Sequence, residues 1–459
     1  MPAPLAIHFD AGSLVVSGAQ ASPTATCLPD AFVWDPRVQA WRALALHYRP
    51  LIAKLTRLSL PFDDHARTYQ PTPWHHRARL SPFPHQEQAI DAWEAHGRCG
   101  LVVLPTGAGK TFVAELAIAR VGRPTLVVTP TLDLMHQWYE CLFAAFGQEP
   151  GLIGGGYYEV SDLAVTTYDS AYLHMERFGN RYAFIVFDEA HHLPSTSYAL
   201  AAQHAIAPFR LGLTATPERS DGGESLYDTL IGPQVYTKTI KALAGTHLAT
   251  YDTTQVEVDL DADERETYAR ERGIYTAFVR ARAIRMSSPD GWTTFLKACA
   301  TSKEGRRALL AYRAYRRIAQ CCRAKMDYLA LLLRRHQQDR LMVFTHDNET
   351  VYAISRRFLL PAITHQTPIK ERKSILAAFN TGTYPAIVTG RVLNEGVNVP
   401  AANVAVVMSG SGSVREHVQR LGRILRPRTG KHALLYELVA RDTAEEFVSE
   451  RRREHDAYR

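Results

Sequence analysis

Short apolar runs rich in β-branched residues alternate with amphipathic stretches twice along the chain, and this alternation restricts its fold more than any other feature. GLVVL, TLVVTP, LAVTT, FIVF and RLGLT fall between residues 84 and 240, and LMVFT, PAIVT, NVAVVM and HALLYELV repeat the pattern after residue 340. Runs this apolar must be covered on both faces, which in strand-helix alternation means a parallel, doubly wound sheet. Two α/β domains are therefore expected. With 459 residues, 46% of them hydrophobic, the chain can build both cores and a third, smaller one.

The first 75 residues read differently. An alternating stretch, LAIHFDAGSLVV, precedes a helix-like one, DPRVQAWRALALHYRPLIAKL, and a passage holding Pro71, Pro73, Pro82 and Pro84 follows. A small N-terminal domain is placed at residues 1–75, the first α/β domain at 76–240 and the second at 241–459. The opening MPAPLAIHFDAG lacks a basic start and is interrupted by Asp10, so no signal peptide is expected. No apolar run approaches the roughly 20 residues of a membrane span, and no membrane association is expected. The six cysteines contain no Cys-x-x-Cys pair, which argues against a zinc ribbon, a four-Cys iron–sulfur cluster or a disulfide framework and favours a reduced cytoplasm. His75-His76 and His191-His192 have no convincing metal-ligand set around them.

Leu104-Pro105-Thr106-Gly107-Ala108-Gly109-Lys110-Thr111 follows GLVVL and opens TFVAELAIA, the strand, loop and helix order of a phosphate-binding loop. Gly107 and Gly109 allow backbone N–H groups and the helix start to face phosphates. Lys110 would reach the β- and γ-phosphates of ATP, and the Thr111 hydroxyl would meet Mg2+. The first glycine of the strict pattern is Leu104 here, and a purely structural glycine turn is the alternative. A second half of the site weighs against that alternative: after the apolar AFIVF comes Asp188-Glu189-Ala190-His191. An acid at the end of such a strand can hold Mg2+, and its neighbour can orient or deprotonate an attacking water.

In the last third, Ser413-Val414-Arg415-Glu416 is a capping box that starts a helix stopped by Pro427. Gln419 and Arg423 share its face and Arg426 lies near its end, so the helix can present positive charge to a bound nucleotide as an arginine finger. A basic surface helix is the alternative. Residues 264–325 hold fifteen Lys/Arg against five Asp/Glu, a local balance of +10 in a chain of +7. Arg306, Arg313 and Arg317 fall on one helical face there, interleaved with Tyr312 and Tyr315, a pattern suited to a phosphate backbone and stacked bases. A solvated helix face is the alternative.

Taken in order, LPTGAGKT, VVTPTLDLMHQW, DEAHH, LGLTATPER, FTHDNETV, TGRVLNEGVNVP and QRLGRILRP resemble the motif series of superfamily 2 helicases. MSGSGSVREHVQRLGRILRP, LLYELVARDTAEEFVSERRR and LAGTHLATY narrow the resemblance to the XPB repair helicase family in its short archaeal and bacterial form. The resemblance covers residues 80–459, and the first 75 correspond by position only. It implies two RecA-like parallel-sheet domains, a helical thumb-like insertion at 264–325 and a damage-recognition domain at 1–75. By the same resemblance Gln86 reads adenine, and Pro105, Thr106, Gly107, Ala108, Gly109, Lys110, Thr111 and Asn398 bind ATP. Thr111 and Asp188 hold Mg2+. Glu189, Lys110, Arg423, Arg426 and Gln419 serve catalysis, while His191, Thr214 and Thr216 couple nucleotide state to domain closure. Gln137, Trp138, Arg219, Asp221, Arg306, Arg313 and Arg317 meet DNA.

Three positions depart from the family pattern. The Arg-Glu-Asp element after the TATP-like motif reads Arg219-Ser220-Asp221, which favours translocation over strong unwinding. Asn398 replaces the usual Asp in EGVNVP, and it can hydrogen-bond a ribose but carries no charge. Phe83 stands where an Arg usually precedes the adenine-reading Gln. The expected activity is ATP hydrolysis coupled to 3′–5′ DNA unwinding or translocation in nucleotide excision repair, in the cytoplasm at the nucleoid, with a nuclease partner. A duplex translocase with little unwinding, an RNA helicase, and a nucleotide-gated scaffold recruiting a nuclease are the alternatives.

Overall fold

The computed structural model describes residues 5–18, 27–77, 81–218, 222–243, 250–288, 290–390, 402–409 and 432–453. Leaving aside the loop residues 106–108, the chain divides into two compact units, one running to Lys238 and the other from Thr239 onward. Both parallel α/β layers expected from the apolar runs are present, one in each unit. Among the described residues no helix is long and apolar enough to cross a membrane.

The first unit begins with a five-stranded sheet in the order Val33–Asp35, Ala40–Leu44, Ser13–Ser17, Leu5–Asp10, Phe62–Asp64. Its alternation turns Leu5, Ile7, Leu14 and Val16 inward against Leu51 and Leu55 of the helix Tyr48–Arg57. Here the helix-like reading of residues 35–55 is corrected: only Tyr48 onward is α-helical, and Ala40–Leu44 is a strand. Turn chemistry overrides the apparent period, because Asp35 Oδ1 accepts the Arg37 N–H at 3.0 Å and Gln39 sits at φ 49. The chain therefore doubles back and pairs Trp34 with Trp41. This sheet is fastened to the α/β layer that follows. Arg49 donates to the Pro208 carbonyl at 3.0 Å, Asn180 Nδ2 to the Ala66 carbonyl at 3.0 Å, and Trp74 Nε1 to the Arg123 carbonyl at 2.8 Å. Ile206 completes the small sheet's core.

That α/β layer is an eight-stranded sheet in the order Gln234–Thr237, Cys99–Val103, Phe209–Thr214, Phe184–Asp188, Thr125–Thr129, Leu163–Thr167, Gly151–Gly154, Tyr157–Tyr158. All neighbours pair in parallel except the terminal hairpin. The central strands are buried along their whole length, as their unbroken apolar runs require. Register decides where the functional residues fall: Thr214 pairs with Val103 and Leu213 with Asp188. The loop after Val103, the Asp188 carboxylate and Thr214 thus share one carboxyl edge, where open parallel sheets bind ligands.

The second unit carries a six-stranded parallel sheet in the order Thr250–Val258, His432–Ala440, Val404–Val407, Leu341–Phe344, Ala386–Thr389, Ala362–Ile363. Helices Ala262–Ala281, Gly291–Ala300 and Lys303–Gln320 occupy the basic segment, and a fourth, Arg323–Arg335, begins at its end. The first and third are capped by Asp261 and Ser302, whose side chains accept the N–H groups of Glu264 and Gly305 at 2.9 Å. They pack through Tyr268, Tyr275, Phe278, Phe295, Tyr312 and Tyr315, and the buried Glu271 is held by Arg307 at 2.6 and 2.8 Å. The fully buried Lys325 ammonium donates to the Met408 carbonyl at 2.7 Å and to Glu445 at 2.5 Å, joining the fourth helix to the sheet. Cys321 and Cys322 lie at the junction of the third and fourth helices, and none of the six cysteines is in a disulfide.

Candidate active site

Strand Cys99–Val103 ends in Leu104-Pro105, and the chain then turns through Gly107 at φ 90 and Gly109 at φ 83 into the helix Lys110–Val121. Only glycine takes such angles without strain, and Gly109 is tight for a second reason. A Cβ there would lie 2.2 Å from the Gln86 side chain. Gln86, nearly fully buried on the helix Pro84–Ala95, accepts the Phe83 N–H at 2.9 Å and reaches the Gly109 carbonyl at 3.5 Å through Nε2. The residue expected at the adenine therefore sits directly on the loop. Lys110 Nζ donates to the Leu104 carbonyl at 3.3 Å, across the loop's mouth, and Thr111 follows in the first helical turn. The Thr106 hydroxyl is buried with no hydrogen-bond partner.

Asp188 and Glu189 stand at the end of the strand Phe184–Asp188, 7% and 9% exposed. Burial and the adjoining Glu189 charge both raise the proton affinity of Asp188. Its Oδ1 accepts the Glu189 N–H at 3.0 Å and its Oδ2 the Trp138 indole N–H at 2.7 Å. Glu189 Oε2 has no hydrogen-bond donor, and its backbone is held at φ 46, an angle that a non-glycine residue adopts at a cost. Two buried carboxylates with an unmatched oxygen are costly alone and fit a hard divalent cation.

Behind them, His191 Nδ1 lies 3.4 Å from Glu189 Oε2 and 3.1 Å from Thr214 Oγ1. Thr214 Oγ1 in turn donates to the Thr216 carbonyl and accepts the Thr216 N–H, each at 3.2 Å. His191, Thr214 and Thr216 form one buried polar chain that starts at the carboxylate pair.

The residues expected at DNA divide. Arg306, Arg313 and Arg317 are exposed along the helix Lys303–Gln320, with Arg317 paired to Glu349 at 2.5 Å. Tyr312 and Tyr315, by contrast, turn into an aromatic cluster with Tyr275 and are not a stacking platform. Gln137 is half-buried on the helix Leu132–Phe146. Trp138 is corrected: it is 2% exposed and spends its only donor on Asp188, so it does not face a nucleic-acid strand. The signal that places it was present, since Leu134, Met135, Trp138, Leu142, Ala145 and Phe146 mark one buried helical face. Arg219, Ser220, Asp221, Asn398, Gln419, Arg423 and Arg426 lie outside the described residues.

Two RecA-like parallel sheets, the first with a phosphate-loop edge and an Asp-Glu pair one strand removed, define the core of a superfamily 2 motor. The crystal structure of the Pyrococcus furiosus Hef helicase domain shares this fold, with 20% identity and a TM-score of 0.54 over 80% of this chain and 97% of that domain. Three family profiles match in order: the Xeroderma pigmentosum group B helicase damage recognition domain over residues 7–66, the type III restriction enzyme res subunit over 79–219, and the ERCC3/RAD25/XPB C-terminal helicase over 293–456. The chain is 39% identical to the DNA 3'-5' translocase XPB2 of Sulfurisphaera tokodaii across 92% of its own length and 95% of the relative. With the DNA 3'-5' helicase XPB of Mycobacterium tuberculosis it shares 30% identity over 80% of its length, spanning 62% of that protein. The chain belongs to the XPB family of superfamily 2 helicases.

Proposed function

We propose that the chain is an ATP-driven motor that tracks 3′ to 5′ along DNA and acts in repair of damaged DNA, including nucleotide excision repair. The observation that carries the reading is the carboxyl edge on which strand register gathers the Lys110 loop, the Asp188-Glu189 pair and the His191-Thr214-Thr216 chain. Family membership supports the same conclusion, since relatives bear the names 3'-5' translocase and 3'-5' helicase.

In this mechanism Gln86 holds the adenine end of ATP, Pro105 shapes the start of the loop, and Thr106, Gly107, Ala108 and Gly109 offer backbone N–H groups and the Thr106 hydroxyl to its phosphates. Lys110 binds the terminal phosphates, and Thr111 and Asp188 are the residues that would hold Mg2+. When bound there, Mg2+ supplies neutralisation of charge on the phosphate oxygens. Glu189, whose Oε2 makes no hydrogen bond and has His191 Nδ1 3.4 Å away, takes the proton of the attacking water or fixes its orientation. The contacts from Glu189 to His191, Thr214 and Thr216 are the proposed route by which a change at the carboxylate reaches the TATP-like motif. Asn398, Gln419, Arg423 and Arg426 are proposed to complete the nucleotide contacts from the second α/β domain. Arg306, Arg313 and Arg317, with Gln137, Arg219 and Asp221, are proposed to contact DNA, and residues 7–66 to recognise damaged DNA. A nuclease is the proposed partner, and the nucleoid the proposed place of work.

Ser220, in place of the family's acidic residue, favours movement along duplex with little strand separation. A triplex-forming oligonucleotide should be displaced from duplex DNA in the presence of ATP, while a forked duplex of equal length is separated at least several-fold more slowly. Equal rates on the two substrates would contradict that preference, and loss of both would contradict the motor.

A further inference from the structure

Asp188 is built to be held still. Its strand neighbours fix the backbone, and the Tyr168 hydroxyl donates to its main-chain carbonyl at 3.0 Å. Its carboxylate then receives two donors, the Glu189 N–H on Oδ1 and the Trp138 indole N–H on Oδ2. The second comes from outside the strand, from a side chain of the helix Leu132–Phe146 whose ring is otherwise packed in the core. An indole N–H can only donate, so it supports the ionised carboxylate and never competes with it for a proton. At 2.7 Å, with both groups buried, it also selects one rotation of the carboxylate plane and leaves the remaining lone pairs pointing in fixed directions.

We propose that Trp138 is a positioning residue for the metal-binding carboxylate: its indole N–H orients Asp188 for the divalent cation that accompanies ATP, in the way that outer-sphere hydrogen bonds orient metal ligands elsewhere. The inference rests on reading Asp188 as the cation's ligand, and it reassigns Trp138 from the nucleic acid to the nucleotide side. The helix that carries it also carries Gln137 as the preceding residue, so the element expected beside the DNA holds a direct hydrogen bond to the carboxylate on which the proposed ATP chemistry depends.

The test measures Mn2+ affinity by electron paramagnetic resonance in the presence of saturating ADP, for the full chain and for Trp138→Phe and Asp188→Ala. Phenylalanine retains an aromatic ring but lacks the donor. The Mn2+ dissociation constant should rise on the order of 10- to 100-fold in Trp138→Phe, with ADP and single-stranded DNA affinities within a few-fold of the parent. A role confined to core packing would lower thermal stability and leave Mn2+ affinity where it was, and that result overturns the proposal. If Asp188→Ala binds Mn2+ as tightly as the parent, the reading of Asp188 itself fails. If Asp188→Ala is impaired and Trp138→Phe is not, only the present inference fails. Should Trp138→Phe not fold, the unmodified protein answers the question. The indole N–H resonance of Trp138 should be strongly protected from exchange and should move when Mg2+ is added to the ADP complex; an unprotected or unmoved resonance contradicts the assignment.

Discussion

Lys110→Ala should reduce ATP turnover by about 10²-fold or more, the scale on which removal of a single charge-stabilising donor acts, while DNA affinity stays within a few-fold. The Lys110 ammonium spans the loop mouth to the Leu104 carbonyl and is the cation in the first turn of the helix Lys110–Val121. Alanine keeps the helix and the glycine turn but removes the positive charge from the place proposed for the terminal phosphates. The DNA contacts proposed for Arg306, Arg313 and Arg317 belong to another helix in the other unit, so binding should survive. Undiminished ATPase in this variant would remove the loop from the mechanism.

Glu189→Gln should lower the hydrolytic rate by about 10²- to 10⁴-fold, the range for loss of a general base, and should leave ATP bound. Glutamine matches the shape of glutamate and relieves the repulsion between two buried carboxylates, so nucleotide affinity should hold or improve. The variant should accumulate an ATP-bound, DNA-bound complex. Rapid filtration with labelled ATP and a pre-formed DNA complex measures it, and turnover within tenfold of the parent would contradict the assignment of Glu189.

How far the sequence reaches is clearest strand by strand. Runs such as FIVF and TLVVT became fully buried central strands because no other element tolerates such unbroken apolarity between turns. Thr250–Val258 gave no such signal: TYDTTQVEV is a mostly exposed edge strand, held by its register with His432–Ala440 and not by burial. Gly151–Gly154, two of its four residues glycine, lacks the side chains from which propensity is read. Residues 35–47 looked helical because a hairpin with a short turn can imitate a 3.6-residue period. In the site, the loop and the Asp-Glu pair were legible because their chemistry demands particular residues at fixed places. The Trp138 bond to Asp188 was not, because it joins two elements fifty positions apart in the chain and only the fold brings them together. Family resemblance placed Trp138 near DNA by its position in a motif; its buried helical face decides otherwise.

The basic segment shows the same division. Its charge was countable from composition, and the exposure of Arg306, Arg313 and Arg317 agrees with a surface that meets polyanions. Which aromatic residues accompany them was not countable, since Tyr312 and Tyr315 are needed to pack the helices together. Arg307, in the same run, is committed to the buried Glu271 and supports structure instead.

The most direct test of an ATP-driven DNA motor is the steady-state ATPase of the purified chain, alone and with single-stranded DNA, forked duplex, blunt duplex and RNA, at two salt concentrations. DNA should stimulate turnover to a degree that fades as salt rises, as counterion release requires, and RNA should stimulate it little. ATP turnover that no DNA accelerates, or that RNA alone accelerates, would contradict it.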